Sequence, residues 1–260
     1  MKRFLLIVMA LFVLGGALGT FFFFRGEMPP EEEATVSPGA EMPVVTEKKV
    51  VEIPVVPAPT MQPKLPESVL IPDVPFTVQA PNAEWSNPLF QDACEEASVV
   101  MVQAWVEGKS LTKVFATKEI EALARLEKKE FGHAIDTSIE DTMWLLARYS
   151  GITSSKIEKG VDITDIREAL ASNKLVIVPT DGRKLKNPNF KQPGPSRHML
   201  VIIGYDMATK EFIVNDPGTR RGEGYRYSED VLYEAILDYA TGDHVPVTST
   251  DKVMLMVGQD

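Results

Sequence analysis

The chain has 260 residues, 44% apolar and 25% charged, a globular composition long enough for one or two domains. A formal net charge of −10 argues against a nucleic-acid partner, because phosphate binding needs a basic face. One cysteine and three histidines exclude an internal disulfide and a Cys-rich metal site, and no cofactor is expected.

Lys2 and Arg3 precede Phe4–Phe24, a run of 21 residues without a charge, closed by Arg25. As a helix this run spans roughly 31 Å, enough for a hydrocarbon core of about 30 Å. Ala17-Leu18-Gly19 is a passable cleavage site, but the apolar run continues past it through Phe21–Phe24, so an uncleaved signal-anchor of bacterial type is expected over residues 1–25. The basic start would stay cytoplasmic, giving a single-pass plasma-membrane protein with its bulk extracytoplasmic.

Residues 26–70 hold nine of the nineteen prolines and eight Glu against three Lys. No helical or alternating period survives that many prolines, so the segment reads as a disordered, self-repelling linker. A folded domain is expected over 71–260. Asp92 and Glu95 have capping-box spacing, and after them Cys94, Ala97, Met101 and Ala104/Trp105 share a helical face that ends at Gly108. Further helices are predicted near 117–130, 139–149 (stopped by Gly151) and 164–172. The period then changes. Leu175–Pro179, His198–Tyr205 and Glu211–Asn215 are short apolar, β-branched runs between Gly, Asp and Pro turns, which predicts antiparallel strands. A helix at 229–239 after Ser228 and a strand at Lys252–Val257 complete an α+β chain, helices first and sheet later.

Cys94 is either a small buried hydrophobe or a nucleophile. Its place at a helix start favours the nucleophile, since backbone N–H groups and the helix dipole there stabilise a thiolate. Such a nucleophile needs a base, and the base needs an orienting partner. His198 opens one strand and Asp216 follows the next. A hairpin through Asp206–Lys210 would bring the start of the first strand beside the end of the second, so that His198 and Asp216 meet at one edge. Asn215 reads as structural, and His133 and His244 as surface residues. Lys184, Lys186, Arg220 and Arg221 read as solvated charges, and the 181–197 loop is placed to flank a cleft.

The order Val74-Pro75-Phe76-Thr77-Val78-Gln79, Cys94, His198 with Gly204-Tyr205-Asp206, then Asn215-Asp216-Pro217 resembles the peptidase C39-like branch of the papain-like cysteine peptidases. The resemblance covers about Ile71 to Gly258. It implies a papain-like fold whose Cys-bearing helix packs on the sheet, with Cys94 as nucleophile and His198 as general base and acid. It further implies Asp216 as the acid orienting His198, Gln79 as an oxyanion-stabilising side chain, and a peptide or protein substrate. Where the family commonly has Gly after the Cys, this chain has Glu95 and Glu96, which suit the helix dipole but oppose a thiolate. Gln79 lies fifteen residues before Cys94, so Pro81–Pro88 must loop out, and Gln91 is a rival for the oxyanion role.

The leading expectation is therefore a membrane-tethered cysteine peptidase working through a thioester acyl-enzyme. Two others stand beside it: a peptide-binding module that keeps the fold without turnover, and a cell-wall amidase or acyltransferase of related Cys–His architecture. Substrate and oligomeric state are not legible in the sequence.

Overall fold

The structure is a computed structural model that describes residues 64–259. The expected anchor and most of the expected linker lie outside the described residues. Among the described residues, no helix is long and apolar enough to cross a membrane, and no cluster of His, Cys, Asp or Glu could hold a metal ion.

In chain order the elements are β1 (Ser68–Leu70), α1 (Pro88–Gln91), α2 (Cys94–Val106), α3 (Lys113–Glu130), α4 (Ile139–Ser150), β2 (Ser155–Lys159), α5 (Ile163–Ala171), β3 (Leu175–Thr180), β4 (His198–Asp206), β5 (Glu211–Asn215), β6 (Tyr225–Ser228), α6 (Glu229–Ala235) and β7 (Val253–Val257). The strands make one seven-stranded antiparallel sheet in the order β2-β7-β3-β4-β5-β6, with β1 paired to β4 beyond the end of the β3 ladder. The chain is α+β, as its periodicities predict.

β3 and β7 are buried at every residue and β4 at all but its last, so both faces of the central sheet are covered. Leu175-Val176-Ile177-Val178 therefore reads as a continuous apolar run without alternation. α2 packs on β4 and against α3 and α4. Only Gln103 and Val106 of its residues escape full burial, so the apolar stripe predicted from its sequence is in fact nearly the whole circumference. Such a helix belongs to the core, and three polar side chains, Glu95, Glu96 and Ser98, go inside with it.

The helix boundaries follow local chemistry. Thr112 caps α3, its hydroxyl accepting from Phe115 N at 3.2 Å, which starts that helix four residues before the predicted position. Gly151 closes α4 in the left-handed conformation at φ 73°, as its position predicts. α6 ends at Ala235 rather than 239, because Ile236 turns extended and bridges Thr180. The Lys252 ammonium then binds the carbonyls of Tyr233 and Ile236, each at 2.8 Å.

The linker boundary expected at Leu70 also moves. Ser68–Leu70 pair with Gly204–Asp206 of β4, and the Tyr205 hydroxyl donates to Pro66 O at 2.9 Å. Gly204 makes this possible: a Cβ there would sit 2.3 Å from Val69 O. The folded unit thus takes in residues on the linker side of Ile71.

Candidate active site

Cys94 is the first residue of α2, but the turn before it differs from the predicted capping box. Pro88–Gln91 form their own short helix, with Asn87 as N-cap and Asp92 as C-cap. Ala93 becomes the N-cap of α2 and offers no side-chain bond. Glu95 is consequently free of capping duty, and its carboxylate turns inward. It accepts the Cys94 thiol at 3.0 Å, the Tyr239 hydroxyl at 2.7 Å and Thr137 N at 3.3 Å.

His198 and Asp216 meet as the hairpin geometry predicts. β4 and β5 pair with Val201 opposite Asn215, joined by the four residues Met207–Lys210. Asp206 closes that turn by accepting from Ala208 N at 3.1 Å. Near the other end, His198 Nε2 lies 2.8 Å from Asp216 Oδ1. The other Asp216 oxygen accepts the Tyr227 hydroxyl at 2.6 Å, and that phenol oxygen accepts from Asn187 Nδ2 at 2.6 Å. Gly218 N adds a third bond to the carboxylate at 2.9 Å. Phe190 stacks edge-on against the imidazole with centroids 5.3 Å apart. The ring is thus fixed from several sides, with Nε2 committed to Asp216 and Nδ1 left for other partners.

Gln79 reaches the same rim because its backbone N–H donates to Pro217 O at 3.0 Å. Pro81–Pro88 do loop out. The Gln79 side chain does not present a free amide: Nε2 donates to Phe90 O at 3.0 Å and to Gln91 O at 2.7 Å. Both hydrogens go to carbonyls of the turn that leads to Cys94. Gln79, Gln91, Cys94 and His198 line one cavity of about 840 Å³, which Trp85, Phe190 and the Pro193-Gly194-Pro195 segment also border. The 181–197 loop therefore flanks the cleft as expected. Lys184 and Lys186 are exposed, while Arg220 and Arg221 sit on the cavity wall. Asn215 is structural, its side chain accepting from Gly224 N at 3.1 Å.

The electrostatics correct one expectation. Burial, then the adjacent Glu95 carboxylate, push the Cys94 thiol well above its ordinary value, and the Met199 backbone N–H only partly offsets them. At rest Cys94 is a thiol donating to Glu95, so desolvation outweighs the helix terminus here. Burial also raises Glu95 to about 7, against the bonds from Cys94 and Tyr239. Behind it, burial lifts Glu96 and Glu127 well above the carboxylate range, helped by the Glu127 charge on Glu96 and the Glu95 charge on both. Asp216 goes the other way. Burial opposes its ionisation, but His198, Tyr227 and Gly218 outweigh burial and hold it below its ordinary value.

Sequence reasoning missed Tyr227, Asn187, Tyr239 and Asp136. Asp136 is buried and gathers Arg197 Nε and His244 Nδ1, each 3.1 Å from Oδ2. His133 and His244 are both exposed, as expected, and His244 also borders the cavity. No local signal marks these groups, since each lies far along the chain from its partner; only the two aromatics in Tyr225-Arg226-Tyr227 hint at a packed strand.

A model of the Peptidase_C39 like family matches residues 71–241, more than half of the chain. Among solved structures, the chain is similar to a putative C39-like peptidase from Bacillus anthracis. Identity is 15%, the match covers 75% of this chain and 100% of that one, and the TM-score is 0.48. It is also similar to Xylellain, a cysteine protease from Xylella fastidiosa, at 13% identity, covering 76% of this chain and 87% of that one with a TM-score of 0.32. No curated protein matches the sequence.

Proposed function

The chain belongs to the Peptidase_C39 like family, with its papain-like cysteine peptidase fold, and from that premise we propose that it hydrolyses peptide bonds through Cys94, His198 and Asp216. The observation that carries this reading is that Cys94 lines one cavity with a His198 ring whose Nε2 is held by Asp216 at 2.8 Å. His198 Nδ1 takes the Cys94 proton, and the resulting thiolate attacks the carbonyl carbon of the scissile bond. His198 Nδ1 gives a proton to the leaving amine, and the acyl group remains on sulfur as a thioester. Water then gives a proton to Nδ1 and resolves the thioester. Asp216 stays charged throughout and orients the ring.

The developing oxyanion is met by the Cys94 backbone N–H at the start of α2 and by the Gln79 amide. Gln79 releases its bond to the Gln91 carbonyl in exchange for the charged oxygen. A bond to an ionised acceptor is roughly twice as strong as a neutral one, so the exchange is downhill. Each such donor is worth about 2.7–4 kcal/mol.

Residues 1–25 tether this domain to the plasma membrane with the domain extracytoplasmic, on the strength of the uncharged run Phe4–Phe24 behind Lys2 and Arg3. The substrate is then a peptide or protein outside the cytoplasm. Retention of the full-length chain in membranes after alkaline washing, and its loss on deleting residues 1–25, tests the tether.

A second reading has one observation in its favour: Cys94 is a buried thiol bonded to a carboxylate, which suits a peptide-binding module without turnover. Hydrolysis of unfolded protein by the full-length chain decides. We expect turnover that Cys94→Ala abolishes; equal turnover in both proteins rules out the proposed mechanism.

A further inference from the structure

Acidic and basic side chains both line the cavity, and they differ in how far the protein itself satisfies them. Asp136 is matched by Arg197 Nε and His244 Nδ1, each 3.1 Å from its Oδ2. Glu95 is buried and spends its oxygens on Cys94, Tyr239 and Thr137. Asp92 is half-buried with the His244 charge nearby. Lys191, Arg220 and Arg221 are exposed on the cavity wall, and among the described residues none of them pairs with a carboxylate. Elsewhere Arg167, Arg183 and Arg226 each have an acidic neighbour, as acids are plentiful in a chain of net charge −10. One wall of the cavity therefore carries an excess of positive charge that the protein does not neutralise.

The place of these cations in the fold decides which part of a substrate they meet. Lys191 follows Phe190, whose ring stacks edge-on against His198 at 5.3 Å. Arg220 and Arg221 follow Gly218 and Thr219, and Gly218 N donates to the same Asp216 carboxylate that holds the imidazole. Arg221 N donates to Thr219 Oγ1 at 3.2 Å, and Arg221 Nη1 to Asn189 Oδ1 at 3.5 Å. The turn after Asp216 and the stretch around Asn189 thus join into one wall on the histidine side, whereas Cys94 enters the cavity from the start of α2. In the proposed mechanism His198 protonates the leaving amine, so the departing part of the substrate runs along this wall.

Resting on the reading of this site as a Cys94–His198 peptidase, we propose that Arg220 and Arg221, with Lys191, determine specificity: they select substrates with an Asp or Glu side chain on the leaving-amine side of the scissile bond. A guanidinium meets a carboxylate through two parallel N–H···O bonds of fixed geometry. The Arg221 bond to Asn189 is to a neutral oxygen, which a charged one displaces. A lysine at the same substrate position meets like charge and is disfavoured, so the wall discriminates by repulsion as well as attraction. All three cations reach solvent, so each contact is modest and weakens with salt, and discrimination comes from their acting together.

Peptides identical but for Glu, Gln or Lys at the first, second or third position after the scissile bond test this on the full-length chain. At one of these positions kcat/KM should be about 10-fold higher for Glu than for Gln, and lower for Lys than for Gln. The Glu-to-Gln ratio should shrink toward unity between about 20 mM and about 500 mM salt. The same peptides titrated onto the Cys94→Ala protein, followed by fluorescence anisotropy, read the preference whether or not turnover occurs. Replacing both Arg220→Gln and Arg221→Gln should bring the ratio to within about 2-fold of unity, and Arg220→Glu with Arg221→Glu should turn the preference to Lys. Equal handling of Glu and Gln at every position overturns the proposal, as does a Glu preference that the double glutamine variant keeps. A wild-type preference for Lys also overturns it, since the acidic residues would then govern the cavity. Hydrolysis surviving Cys94→Ala would instead sink the peptidase reading and leave the acid preference in binding intact, so the two failures are distinct.

Discussion

Gly218 lies against the His198 ring: a Cβ at Gly218 would fall 2.9 Å from His198 Cε1, 3.0 Å from Phe190 Cε1 and 3.2 Å from Asp216 Oδ1. The residue that closes the Asp-Pro-Gly turn therefore leaves no room for a side chain beside the imidazole and its carboxylate partner. Gly218→Ala must displace the ring or the carboxylate. We expect kcat/KM to fall at least about 10-fold, with a stability loss of about 1–3 kcal/mol from overpacking. Steady-state kinetics beside thermal melts checks this, and an unchanged kcat/KM contradicts it.

Tyr227 is the second test of the His198–Asp216 arrangement. Its hydroxyl links the carboxylate to Asn187 through two bonds of 2.6 Å, and Asn187 anchors the cleft loop by accepting from Asn189 N at 2.9 Å. Tyr227→Phe removes a bond to a buried charge, worth about 1.5–3 kcal/mol. Both Tm and kcat/KM should drop, the latter by about 10-fold. A variant of unchanged kinetics would show that the carboxylate needs no help from Tyr227.

Gln79 and Gln91 separate by the same kind of measurement. If Gln79 serves the oxyanion, Gln79→Ala lowers kcat by about 10²–10³ while Gln91→Ala, whose side chain is exposed, leaves it within a few-fold. The reverse pattern assigns the role to Gln91.

Stability should depend on pH with a sign set by the buried carboxyls. Glu95, Glu96 and Glu127 are all raised above their ordinary value, chiefly by burial. Groups raised in the fold hold protons more tightly folded than unfolded. Their contribution is complete below the unfolded value and is lost as the pH rises through the folded one. For Glu95 that window runs from 4.5 to about 7. Asp216 has the opposite sign, but its contribution is lost only as the pH falls below 3.8. The Tm of the full-length protein should therefore decline from pH 5 to pH 8, and Glu127→Gln should flatten the decline. A flat wild-type profile would contradict the burial of these groups as acids.

Much of this site was legible in the sequence, for reasons that differ by residue. His198 and Asp216 could be paired because the turn between their strands is short, and antiparallel register then fixes which ends meet. Cys94 could be placed because the apolar spacing of Ala97, Met101 and Trp105 marks the helix it opens, although the capping box read at that start is absent. Glu95 could not: the same Asp92-x-x-Glu95 spacing serves a capping box or an intervening α1, and only the fold brings Tyr239 to the carboxylate. β2 and β6 escaped notice because they are the sheet's two edges. Ser155-Lys156-Ile157-Glu158-Lys159 carries the charges that keep an edge strand from pairing further, and these hide its period. β1 was hidden by the prolines around it, and it takes its place through backbone bonds to β4 that no side-chain pattern announces.

The most direct measurement follows from the chain having one cysteine. Full-length protein mixed with a slowly turned-over activated peptide ester, quenched in acid and digested, is expected to carry the acyl mass on the fragment containing Cys94, and His198→Ala should remove that adduct. Ester turnover with no acyl group on Cys94, continuing at the same rate in Cys94→Ala, would contradict the account at its centre.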